Sequence, residues 1–199
     1  MAIRYGADAL GLVGSMPSGP GVIEDSTIRA IARQVPPPLA TFLLSSETNP
    51  NGVLAHYEKV HTTAIQLVDT PLPGTWSLLR KNHPQVKIIQ VIHVLNEKSI
   101  GEAVAASDSV DALLLDSGNP ALKVKELGGT GRVHDWKLSK KIREAVGVPV
   151  FLAGGLNADN VQEAIERVQP FGVDLCSGVR SSGRLDEQKL EAFFRSIGQ

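Results

Sequence analysis

Four stretches of the chain place acids, glycines or a thiol directly behind short apolar runs, where they could do chemistry. Asp116 closes the run Ala112 to Leu115 and leads into Ser117-Gly118, then into a long segment with Gly128-Gly129-Thr130-Gly131 and Asp135-Trp136. A carboxyl at the end of a buried strand is partly desolvated, so it can hold a proton near neutrality and donate it as a general acid. An Asp that merely caps a turn with Ser117 and Gly118 fits the same residues. Gly154-Gly155-Leu156-Asn157 follows the run Val148 to Ala153, and Ser177-Gly178-Val179 follows Val173 to Cys176. Glycines let backbone N–H groups approach an anion, and Asn157 opens a predicted helix whose first donors are unpaired, so the two clusters together describe a phosphate cradle. The fourth stretch, Gly14 to Gly21, is rich in Gly and Pro and cannot be helical. It serves either as a fixed wall of a site or as a plain connector.

The elements that must position these residues follow from the alternation of short apolar runs with amphipathic segments, which is the pattern of a parallel α/β sheet. The predicted strands are Ala9 to Val13, Leu39 to Leu44, Ala64 to Val68, Lys87 to Val94, Ala112 to Leu115, Val148 to Ala153 and Val173 to Cys176. Each is apolar nearly throughout, as a strand covered on both faces must be. Predicted helices lie at Asp25 to Gln34, Pro50 to Lys59, Gly74 to His83, Lys98 to Ala106, Asp135 to Val146, Asn157 to Val168 and Asp186 to Ile197. Met1 to Gly6 reads as the tail of one more helix. Seven strand-then-helix units, with the chemistry at many strand ends, predict an α/β fold of the (β/α)8 TIM type that lacks its first strand, built as one domain over residues 1–199. A doubly wound open sheet is the rival, but no GxGxxG follows the first strand.

Composition narrows the function classes. The chain has 20 Lys and Arg against 21 Asp and Glu in 199 residues, so no basic field points to nucleic acid or to a membrane surface. One cysteine, Cys176, excludes an internal disulfide, and no apolar run approaches the ~20 residues of a membrane span. With no secretory h-region at the N-terminus, the expected location is the cytoplasm.

Over nearly its whole length the chain resembles phosphoribosylanthranilate isomerase. The resemblance is carried by Gly6-Ala7-Asp8-Ala9-Leu10-Gly11, Ile65-Gln66-Leu67, Leu114-Leu115-Asp116-Ser117, Gly128-Gly129-Thr130-Gly131 with Asp135-Trp136, Ala153 to Asn157 with Asn160-Val161, and Gly172-Val173-Asp174 with Ser177-Gly178-Val179. It implies a cytoplasmic enzyme of tryptophan biosynthesis, an intramolecular oxidoreductase that interconverts aldose and ketose by an Amadori rearrangement without metal or cofactor. An acid protonates the furanose ring oxygen, the ring opens to a Schiff base, and a base removes the C2 proton of the sugar. By position Asp116 resembles the general acid. Gly129, Gly131, Gly154, Gly155, Ser177 and Gly178 resemble the substrate and phosphate loops, and Asp174 points into the same mouth by strand alternation. The implied partner is a small phosphorylated substrate, and exposed strand edges would favour a homodimer.

Three departures stand against this resemblance. The family's first strand ends in Cys-Gly, whose cysteine is the base, and this chain starts after that point. The family's arginine for the anthranilate carboxylate is absent from Met16 to Ile23, and His134 stands where phenylalanine is usual. Cys176, on the same strand face as Asp174, and His93, with an intrinsic pKa suited to proton transfer, are the candidates for a replacement base, although both residue types are also common in cores. Two functions therefore remain open: the isomerase, and a phosphosugar-binding barrel with another substrate or no chemistry.

Overall fold

The computed structural model describes residues 1–198, so Gln199, the last residue of the expected domain, lies outside it. Seven strands, β1 (Ala9–Val13), β2 (Ala40–Ser45), β3 (Ala64–Leu67), β4 (Lys87–His93), β5 (Ala112–Asp116), β6 (Val150–Leu152) and β7 (Gly172–Val173), lie side by side in chain order. All six pairings are parallel. A helix follows each strand: α1 (Asp25–Gln34), α2 (Pro50–Val60), α3 (Thr75–Asn82), α4 (Lys98–Ser107), α5 (Trp136–Ala145), α6 (Val161–Val168) and α7 (Glu187–Ser196). Parallel neighbours need such crossovers, and the crossovers bury both faces of the sheet.

Strand alternation divides the core in two. On β5, Leu113 and Leu115 face the helices with Leu43, Ile65, Leu67, Ile88 and Leu152. Leu114 faces inward with Ala64, Ile89, Val91 and Ala153. Phe42 of β2 and Phe151 of β6 meet across that interior, with ring centroids 6.2 Å apart in an edge-to-face arrangement. Strands four positions apart touch because the sheet is curled. Among the described residues β1 and β7 do not pair with each other, so the curled sheet is open along one side.

Two boundaries near the site differ from expectation. The helix predicted from Asn157 begins only at Val161. Asn160 Oδ1 accepts from the Asn157 N–H at 2.9 Å, and Asn157 Oδ1 accepts from the Asp159 N–H at 2.9 Å. These side chains take up local backbone donors and hold the segment as a turn. The last strand ends at Val173, and the chain enters a 3-10 turn at Ser177–Val179. Cys176 therefore shares no strand face with Asp174. After that turn, β8 (Arg180–Ser181) and β9 (Arg184–Leu185) form a hairpin around Ser182 and Gly183, which have φ of 50° and 76°. Positive φ at both central residues suits the right-handed twist of a two-residue hairpin. Met1 to Gly6 is a helical tail, a 3-10 turn at Ala2–Tyr5 closed by Gly6 in the left-handed conformation. No described helix is long and apolar enough to cross a membrane.

Candidate active site

Parallel strands that curl together bring their C-terminal ends to one mouth, and the loops leaving β1, β5, β6 and β7 close over a cavity there. Its floor is apolar, formed by Val13, Leu44, Val91 and Leu114. Its rim carries Gly129, Gly154, Gly155 and Ser177, and its acids are Asp116 and Asp174. Gly131 and Gly178 do not line it, though a Cβ on Gly131 would stand 3.7 Å from the Oγ of the rim residue Ser177.

Asp116 ends β5 on the same face as Leu114, which aims its carboxyl into the interior, where it is 5% exposed. Oδ2 accepts a hydrogen bond from the Gly118 N–H at 3.0 Å. Asp174 follows β7, its N–H donating to the Leu152 carbonyl at 2.8 Å, so the sheet ladder places its carboxyl at the mouth. Burial, followed by the charge of Asp116, pushes the Asp174 carboxyl from 3.8 up to about 7. The two acids thus face one cavity and feel each other, the arrangement in which carboxylates divide acid and base duties.

The two candidate bases fare differently. Cys176 lines the cavity, but burial raises its thiol pKa, with the Arg180 guanidinium only partly opposing that. A thiol so placed stays protonated at neutral pH and is a poor base. His93 pairs in register with Asp116, with Nδ1 3.9 Å from Oδ2. Its Nε2 bonds the Val68 carbonyl at 2.9 Å, however, and the chain crossing from Gly118 to Glu126 covers the ring. His93 does not line the cavity; it sits behind Asp116.

The glycine loops interlock. Gly155 has φ of 65° and lies so close to the long loop that a Cβ would meet the Arg132 carbonyl oxygen at 2.6 Å. A Cβ on Gly178 would meet the Leu156 carbonyl oxygen at 2.0 Å. Only glycine permits these approaches. Ser117 and Thr130 hydroxyls bond at 2.7 Å, tying the long loop to the end of β5. Lys125 reaches from the same loop to Asp69 behind β3 at 2.5 Å, and Ser18 Oγ donates to the Lys125 carbonyl. His134 packs beside Gly154 with Nε2 2.7 Å from Ser139 Oγ, and burial lowers its pKa to about 4, so it is a neutral packing residue outside the cavity lining.

Sequence reasoning did not mark Arg180 or the Asp69–Lys125 pair. Arg180 is the first residue after a glycine turn, a position that could have drawn notice. Nothing in the sequence could have joined Asp69 to Lys125, which are 56 positions apart.

Comparison with known proteins finds the pattern of the N-(5'phosphoribosyl)anthranilate (PRA) isomerase family over residues 15–196. A relative from Methanosarcina mazei named N-(5'-phosphoribosyl)anthranilate isomerase 2 is 36% identical over 195 residues, covering 97% of this chain and 85% of that protein. The crystal structure of phosphoribosyl anthranilate isomerase from Thermotoga maritima superposes with a TM-score of 0.79 at 30% identity, covering 98% of this chain and 90% of that one. A second such structure, in complex with reduced 1-(o-carboxyphenylamino)-1-deoxyribulose 5-phosphate, matches with a TM-score of 0.78 at 28% identity over 100% of this chain and 91% of the other.

Proposed function

The chain belongs to the N-(5'-phosphoribosyl)anthranilate isomerase family, and from that premise we propose that it catalyses the Amadori rearrangement of N-(5-phosphoribosyl)anthranilate to the carboxyphenylamino-deoxyribulose phosphate. The observation that carries the proposal is the cavity itself, in which Asp116 and Asp174 stand under glycine-rich loops at the ends of β5, β6 and β7. Phosphate sites in such folds gather at the last strands. Gly154, Gly155, Ser177 and Gly178 hold the 5-phosphate through backbone N–H groups, and Gly129 and Gly131 position the loop that covers the sugar.

As general acid, Asp116 delivers a proton to the furanose oxygen as the C1–O bond breaks and the Schiff base forms. Asp174, a carboxylate made more basic by burial, then takes the C2 proton. The resulting enolamine tautomerises to the ketone, so atoms balance with no added reagent. This assignment gives the role of base to Asp174 in place of Cys176 or His93. The chain acts as one barrel domain of the TIM type, with its seven parallel strands carrying the site at one mouth.

The test is fluorescence-monitored consumption of phosphoribosylanthranilate, beside calorimetric titration with the reduced product analogue. Turnover in the chain, lost in both Asp116→Asn and Asp174→Asn with analogue binding kept, supports the proposal. Analogue binding without turnover in the unaltered chain overturns it in favour of a phosphosugar-binding barrel without this chemistry.

A further inference from the structure

The substrate proposed above is anionic at both ends, with a phosphate on the sugar and a carboxylate on the aryl ring. A carboxylate drawn into a half-closed cavity needs a cation or several donors, because its lost hydration is otherwise uncompensated. The loop from Gly14 to Gly21 carries no charged residue. Two cations of the long loop are already engaged, Lys125 by Asp69 and Arg132 by Glu126. Arg180, like the exposed Lys123 of the long loop, forms no ion pair with a carboxylate among the described residues, but unlike Lys123 it is half-buried.

Two contacts fix where its guanidinium lies. Nη1 donates to the Gly183 carbonyl at 2.8 Å, so the hairpin of β8 and β9 holds one edge of the plane. Nη2 lies 3.1 Å from the position a Cβ would take on Gly21. The group also lies near enough to Cys176, a cavity-lining residue, for its charge to oppose the rise of the thiol pKa. The guanidinium therefore spans from the loop after β7 to the loop after β1, between Cys176 and the neighbour of Pro20, which also lines the cavity. It stands half-buried on the open side of the sheet. Gly21 has φ of 86°, a conformation that keeps the loop backbone clear of the guanidinium without any side chain in the way.

We propose that Arg180 is the specificity-determining residue that binds the aryl carboxylate of the substrate, a role resting on the isomerase reading above. The loop that lacks an arginine receives one from across the mouth. A guanidinium presents a planar fork that matches a carboxylate and rejects an aryl ring lacking one, since its donors would then be left unpaired.

Calorimetry with two reduced product analogues tests this, one bearing the ortho-carboxyl and one with a plain phenyl ring, against the unaltered chain, Arg180→Lys and Arg180→Met. Arg180→Met is expected to lose about 10- to 100-fold in affinity for the carboxylated analogue, while affinity for the phenyl analogue changes less than about 3-fold. Arg180→Lys falls between, because it keeps the charge and loses the fork. In turnover the Met variant raises KM and leaves kcat nearly unchanged. Equal losses for both analogues would show that Arg180 serves the phosphate or the fold, and full affinity for the carboxylated analogue would show no contact. Both results overturn the assignment. Failure of the unaltered chain to bind either analogue overturns the isomerase reading itself and is seen before any variant is made.

Discussion

Asp174 binds its proton more tightly in the folded chain than in an unfolded one, since burial and the nearby Asp116 raise its pKa from 3.8 to about 7. Between about pH 4 and pH 7 the folded state keeps a proton that the unfolded state has released, so this residue's contribution to stability falls as pH rises through that window. Asp174→Asn removes the penalty. Allowing for screening at a half-buried site, it is expected to stabilise the chain at pH 8 by on the order of 1–3 kcal/mol and to change little at pH 4, as read from thermal melts at both pH values. A Tm difference independent of pH would show that the carboxyl does not titrate as described. The same variant is expected to lose about 10²- to 10⁴-fold in turnover, and so is Asp116→Asn, whereas Cys176→Ala should stay within about 3-fold of the unaltered chain. Collapse of turnover in Cys176→Ala would return the base to the thiol. The positions of both acids at strand ends could be read from the sequence, because a polar residue closing an apolar run is visible there. That His93 is sealed off by the crossing from Gly118 to Glu126 was not, because the seal depends on where a loop folds back.

At the scale of elements, the site depends on loops that touch closely enough to need glycine. Gly178 sits in the 3-10 turn after β7 with its α-carbon against the Leu156 carbonyl. A methyl group there would force the turn off the loop after β6. Gly178→Ala is therefore expected to weaken binding of the reduced product analogue by about 10-fold or more and to lower Tm by several degrees, as strain in a packed site typically costs about 1–3 kcal/mol. Calorimetry and a melt check both, and unchanged affinity would place the phosphate elsewhere. Every predicted strand and helix exists, because apolar runs in a parallel sheet are nearly continuous and hard to miss. The ends were less legible. The delayed start of α6 turns on hydrogen bonds of Asn157 and Asn160, and the early end of β7 on a 3-10 turn, which local composition does not distinguish from one more pair of strand residues.

For the whole molecule, the governing feature is the open side of the curled sheet. The edge of β1 begins at Ala9, which is exposed, and beside β7 the ring of Phe171 is 71% exposed while lying 5.4 Å from Phe151 of the interior cluster. Unpaired strand edges next to accessible apolar rings invite pairing with another copy. The chain is accordingly expected to self-associate through these two edges, giving sedimentation coefficients that rise with concentration across the micromolar range. Charges that oppose edge pairing should reverse this: Phe171→Lys combined with Ala9→Lys is expected to weaken association by about 10-fold or more, since each desolvated charge would disfavour the contact by over about 1 kcal/mol. Neither residue lines the cavity, so analogue binding should survive in the double variant even as association falls. If binding is lost together with association, a second copy completes the site across the open side. A chain that sediments as a monomer at every concentration would instead show that the curl of the sheet alone protects its edges.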